Sequence, residues 1–191
     1  MDPTLDQARV RTILEHPGDL PWRLQDVGLL ALRLDDERRF RLHVWAPEAR
    51  VGEPPIHDHP YDFTSTIVVG EVTDTRYVED DAGDVYRRER YSLDDEDDRR
   101  SDRIRLAGTS AAFGPGDHYH MRAHELHDSR PRPGTVTVIE CDWLERPELT
   151  VCLRPDAPWV SGRARPATRD EVSRITATAL ARLDASPVPA P

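Results

Sequence analysis

Between residues 27 and 153 the apolar residues fall in short runs broken by turn signals, and none of these runs has helical periodicity. In 40–45, Phe40, Leu42 and Val44 alternate with Arg41, His43 and Trp45, the two-residue period of a strand with one buried face. Comparable runs lie at 27–34, 56–59, 63–69, 71–78, 85–91, 104–106, 111–113, 117–121, 135–140 and 149–153. The polar turn Asp35 to Arg38 joins the run at 27–34 to 40–45 as a hairpin, and Gly70 and Gly114-Pro115-Gly116 mark further turns. Short strands in such number bury their apolar faces by closing into an antiparallel barrel or packing as a sandwich, so the expected class is all-β. The acidic run at 93–98 reads as a solvated loop.

Helical spacing occurs only outside this body. Leu5, Val10, Ile13 and Leu14 predict a helix at about 4–15, stopped by Pro17-Gly18. Thr168 and Glu171 form a capping-box pair, and Val172, Ile175, Ala179 and Leu183 mark one face of a second helix at about 168–184, expected to pack on the barrel. A chain of 191 residues supports one core of useful size, so residues 1–186 are read as a single domain with its barrel at about 27–153, and 187–191 as a flexible Pro-rich tail.

Charge narrows the function. The formal net charge is −10, which argues against a nucleic-acid partner, because affinity for a phosphate backbone comes from clustered cations. All 26 basic residues are Arg, which removes Schiff-base lysine chemistry and the phosphate-loop lysine. No apolar run reaches membrane-spanning length and the first residues lack a leader pattern, so a cytoplasmic protein without membrane contact is expected. Cys141 and Cys152, read as lying on adjacent strands, are expected to be reduced thiols.

Two histidine clusters carry the chemistry. His57 and His59, two apart on a strand, share a face about 7 Å apart along the chain and can reach one ion. A second cluster, His118, His120, His124 and His127, follows after enough chain for return strands. His118 and His120 share one face of their strand and Tyr119 and Met121 the other, with the inner face left open by the sequence. In phase with His57, Tyr61 and Phe63 face the pocket and Asp62 faces away. His43 points into the pocket if Leu42 and Val44 pack against a helix outside the barrel, and Arg41 and Arg122 are candidate anchors for a substrate carboxylate.

The clusters resemble the two cupin motifs. His57, His59 and Gly70 match the first, whose glutamate position holds Phe63; Gly116 and His127 match the second, with Arg122 and His124 at its proline and glycine positions and Pro131 at its asparagine position. The resemblance covers roughly residues 40 to 153 and implies a double-stranded β-helix, a jelly-roll barrel, holding one divalent metal through His57, His59 and His127. The arrangement of three histidines without the glutamate is similar to that of cysteine dioxygenase and related thiol dioxygenases. It implies an Fe(II) dioxygenase acting on a small polar metabolite with dioxygen, with zinc, nickel or manganese as alternative metals and a homodimer as its assembly. Tyr61 and Tyr119 are then candidate proton donors, with His124, Phe63, His120 and Arg122 around the metal and substrate. A non-redox metal cupin (isomerase, lyase or hydrolase) and a binding cupin without turnover are the competing expectations.

Overall fold

The computed structural model describes residues 7–18, 20–37, 39–50, 54–92, 99–142, 148–158 and 164–185. Helix α1 spans Gln7–Glu15 and α2 spans Arg169–Ala185. Between them run β1 (Arg23–Gln25), β2 (Leu29–Arg33), β3 (Phe40–Trp45), β4 (Ile56–His57), β5 (Asp62–Val69) and β6 (Val72–Ser92). Then follow β7 (Arg100–Phe113), β8 (His118–Met121), β9 (Leu126–Pro131), β10 (Val136–Asp142), β11 (Glu148–Leu153) and β12 (Arg165–Pro166). They build two antiparallel sheets, β12-β1-β2-β3-β10-β5-β8 and β11-β4-β9-β6-β7, the latter with an added β11–β6 pairing. The fold is all-β and jelly-roll-like, with its two helices at the ends of the chain.

The strand period sorts side chains onto two faces. Leu30, Leu32, Leu42, Val44 and Val136 leave the seven-stranded sheet outward and join Val10 and Leu14 of α1 and Val172, Ile175, Ala179 and Leu183 of α2 in the largest core cluster. Leu42 and Val44 are fully buried there, each such side chain contributing about 1.5–3 kcal/mol of burial energy. Because that face is occupied by the helices, Arg41, His43 and Trp45 of β3 turn into the space between the sheets. The expected hairpin of β2 and β3 pairs Leu30 with Val44 and Leu32 with Leu42.

The capping box is formed: Thr168 Oγ1 accepts from the Glu171 amide (3.3 Å) and a Glu171 carboxylate oxygen accepts from the Thr168 amide (2.9 Å). Gly70, at φ 87° in the turn from β5 to β6, has no room for a Cβ, which would meet Thr135.

Several expectations are corrected. The runs at 71–78 and 85–91 are one strand, β6, irregular between Glu79 and Asp84, and those at 104–106 and 111–113 are parts of β7. The long hairpin wraps the five-stranded sheet, β6 pairing first with β9 and later with β11. β1, β9 and β12 were not anticipated. Cys141 and Cys152 are free and buried but lie in different sheets, not on adjacent strands. The run at 93–98, the tail at 187–191 and the first residues of the expected N-terminal helix, 4–6, fall outside the described residues.

Candidate metal centre

The inner faces of the two sheets converge on three imidazoles. His57 ends β4, and it pairs across the sheet with His127 of β9. His59 follows two residues on, where the chain crosses towards β5, so all three rings come from the strands nearest that crossing. One nitrogen from each of His57, His59 and His127 lies within 4.8 Å of the others, a group able to hold a metal ion. Among the described residues no carboxylate or thiol joins this group.

The partners of the rings assign their protons. Nδ1 of His57 lies 3.1 Å from the Pro55 carbonyl oxygen, which only accepts, so Nδ1 donates and Nε2 keeps its lone pair. Nδ1 of His127 donates to Asp74 Oδ1 at 2.8 Å, which likewise leaves Nε2 of His127 as a ligand atom. That Nε2 stands 3.1 Å from Nε2 of His59. Two nitrogens bound to one ion at about 2.1 Å, with an angle between square and tetrahedral, stand about 3.0–3.4 Å apart. The donor set of all three rings and the spacing of this pair therefore suit a divalent ion.

Burial keeps His57 and His59 neutral. It pushes the His57 imidazolium down to about 4, with His127 adding to the effect, and lowers His59 well below the ordinary range, His57 and His127 adding in turn. Neutral imidazoles are the form that binds metal. Asp74 is itself buried on the inward face of β6 and also accepts from Ser129 Oγ at 2.8 Å. The hydrogen bond to this carboxylate orients the His127 ring with Nε2 turned towards the other two histidines. Asp74 was missed from the sequence; the available signal was its position in phase with Val72, an acid on the inward face of a strand.

The other candidates separate cleanly. Tyr61, Phe63 and Tyr119 line the same cavity as the three histidines, together with Arg41, His43, Trp45 and Ile139. The Phe63 ring sits 5.0 Å from that of His59 and 5.9 Å from that of His127, and so sets an apolar wall beside them. Arg41 Nη1 donates to the Tyr61 hydroxyl oxygen at 3.0 Å, and burial still raises the Tyr61 phenol above its ordinary range. Burial first, then nearby Asp74, pushes the Tyr119 phenol up to about 12.

His120 and Arg122 are not brought to this cavity. Tyr119 and Met121 take the inner face of β8, so His118 and His120 are exposed, and Arg122 is exposed in the turn after it. His124 adopts φ 64° in that turn, and its Nδ1 lies 3.2 Å from Asp58 Oδ2 instead of in the histidine group. Asp58, between the two ligand-type histidines, is buried and points away from them to accept from the Thr150 amide at 2.7 Å. Asp62 also faces away, accepting from the Ala123 amide at 2.7 Å.

The cavity measures about 390 Å³, within the range of small-molecule sites, and much of its wall is apolar: Val27, Leu29, Ala31, Ile139, Leu149 and Val151. A β-sandwich with three clustered histidines is compatible with a cupin. No protein-family model matches the chain and no curated protein matches it.

Proposed function

We propose that this chain is a metal-dependent oxygenase of cupin type, with Fe(II) held by His57, His59 and His127 and with an organic substrate and dioxygen as its reactants. The observation that carries this reading is a group of three imidazoles, without a carboxylate among the described residues, opening into a cavity of small-molecule size. When bound, such an ion retains its full charge and open positions and supplies redox and Lewis-acid chemistry to an anionic substrate.

The chain's own residues have separate tasks. Asp74 and the Pro55 carbonyl hold the rings of His127 and His57 in the tautomers that present Nε2. Phe63 and Ile139 keep water from the inner end of the cavity. Tyr61 and Tyr119, both kept as neutral phenols, can deliver a proton to an oxygen atom of the reacting molecule. Arg41 holds Tyr61 in place and adds positive charge beside His59.

The pairing of Asp74 with His127 favours a second reading, a zinc-dependent hydrolase or lyase, since histidine ligands backed by carboxylates are common in zinc sites. One experiment separates the two. The protein is purified under nitrogen, its metal content measured, and Fe(II)-loaded and Zn(II)-loaded samples are given thiols, diketones and catechols while oxygen is followed. Uptake with Fe(II) alone supports the oxygenase; tight metal binding with no uptake on any substrate refutes it.

A further inference from the structure

β3 presents a row of three side chains to the cavity, Arg41, His43 and Trp45, spaced two residues apart and spanning about 13 Å from the first to the last. The inner end of the row lies by the histidine group: Arg41 bonds Tyr61, whose ring is 5.4 Å from that of His59. The outer end lies beside Leu29 and Val27. Polarity thus falls steadily along the row, from guanidinium through imidazole to indole.

His43 has no task in the fold. Its ring packs edge-on against Trp45 at 6.1 Å, yet neither ring nitrogen has a hydrogen-bond partner among the described residues. A half-buried imidazole that lines the cavity and whose nitrogens bond none of the described residues offers its polar edge to an occupant. Burial, with Arg41 adding to it, pushes its imidazolium down to about 3, so it is a neutral donor and acceptor. The charge of the walls is also selective. Arg41 and Arg50 line the cavity against one carboxylate, Asp58, which is engaged by Thr150 and His124.

We propose that Arg41, His43 and Trp45 form the substrate-recognition face of this cavity and select a monocarboxylate with an apolar, preferably aromatic, body. Arg41 takes the carboxylate, His43 a hydroxyl or carbonyl next to it, and Trp45 with Leu29 the body. This deepens the oxygenase reading and rests on it for the placing of the carboxylate at the metal end. It departs from the small polar metabolite expected from the sequence, because such a molecule leaves Trp45 and the apolar wall beside it without contact.

The test uses the full chain loaded with Co(II) and titrated calorimetrically with 3-phenyllactate, lactate, 3-phenyllactamide and 3-phenylpropionate. Phenyllactate is expected to bind at least tenfold more tightly than lactate or 3-phenyllactamide. Arg41→Met is expected to erase the preference for acid over amide, Trp45→Ala the preference for phenyllactate over lactate. His43→Leu is expected to erase the preference for phenyllactate over 3-phenylpropionate, and His43→Gln to restore part of it. Equal binding of acid and amide by the Co(II)-loaded protein, no binding of any probe at millimolar concentration, or variants indistinguishable from the parent overturn the proposal. Metal content measured on the same samples keeps the two readings apart. If Co(II) does not bind, the metal centre fails, while the same titrations on the metal-free protein still decide the recognition face.

Discussion

Replacing Asp74 with Asn tests whether the histidine group is a metal centre held in shape from behind. The substitution keeps size and leaves an amide oxygen able to accept from His127 Nδ1, but it removes the charge that makes this imidazole a stronger ligand. Loss of such a partner lowers metal affinity by about 10–100-fold, and about 30-fold corresponds to about 2 kcal/mol. At a free metal concentration of about 100 times the parent's Kd, binding stabilises the parent by about 2.7 kcal/mol and the variant by only about 0.9 kcal/mol. For a chain of this size the melting temperature rises about 2–4 °C per kcal/mol, so the metal-induced increase falls from about 5–11 °C to about 2–4 °C. The assay is thermal unfolding of each protein in a chelator and in buffered Co(II), with affinity measured in parallel by competition with a chromophoric chelator. The difference between the two melts cancels any direct cost of the substitution to the metal-free fold. An unchanged affinity and an unchanged metal-induced shift in a variant that folds refute the reasoning.

Three further outcomes are expected. His127→Ala abolishes metal binding while His124→Ala retains it within a few-fold, measured by metal content after gel filtration, because His124 turns to Asp58 and not to the shared point. The metal-free protein loses stability as pH falls from 6.5 to 5. The unfolded chain binds protons on His43, His57 and His59 near 6.5, whereas the folded chain refuses them until about 3 for His43, about 4 for His57 and well below 6.5 for His59, so stability rises with pH across that window; urea unfolding at pH 5, 5.5, 6 and 6.5 shows the slope, and a flat profile contradicts the burial of these rings. Thr168→Ala opens the capping box and costs about 1 kcal/mol, seen as a fall of about 2–4 °C in melting temperature with metal affinity unchanged.

Local periodicity made much of this protein legible. β3 coincides with the run at 40–45, β5, β8, β10 and β11 lie within a residue or two of their runs, and α2 starts after the Thr168 cap. Those elements announce themselves because one face is buried and the other is not. β9 escaped for the opposite reason: in Leu126–Pro131 the residues His127, Asp128, Ser129 and Pro131 are all buried, and most are polar, so no alternation is visible. β6 reads as two runs because the irregularity between Glu79 and Asp84 resembles a turn in composition, and β7 does so because Ala107-Gly108-Thr109-Ser110 interrupts its apolar pattern.

The same contrast divides the site. Residue identity and spacing along a strand determined that His57 and His59 share a face and that Gly70 ends a strand, and the resemblance picked His127 from the second cluster. Only tertiary packing decided that Tyr119 rather than His120 turns inward, and the pairing of β9 with β4 and with β6 set His127 against His57 and placed Asp74, 53 residues away in sequence, behind it. A strand's period states that neighbours face opposite ways, but it does not say which way is in. That choice is made when two helices cover one side of a sheet and leave the other to close around a cavity.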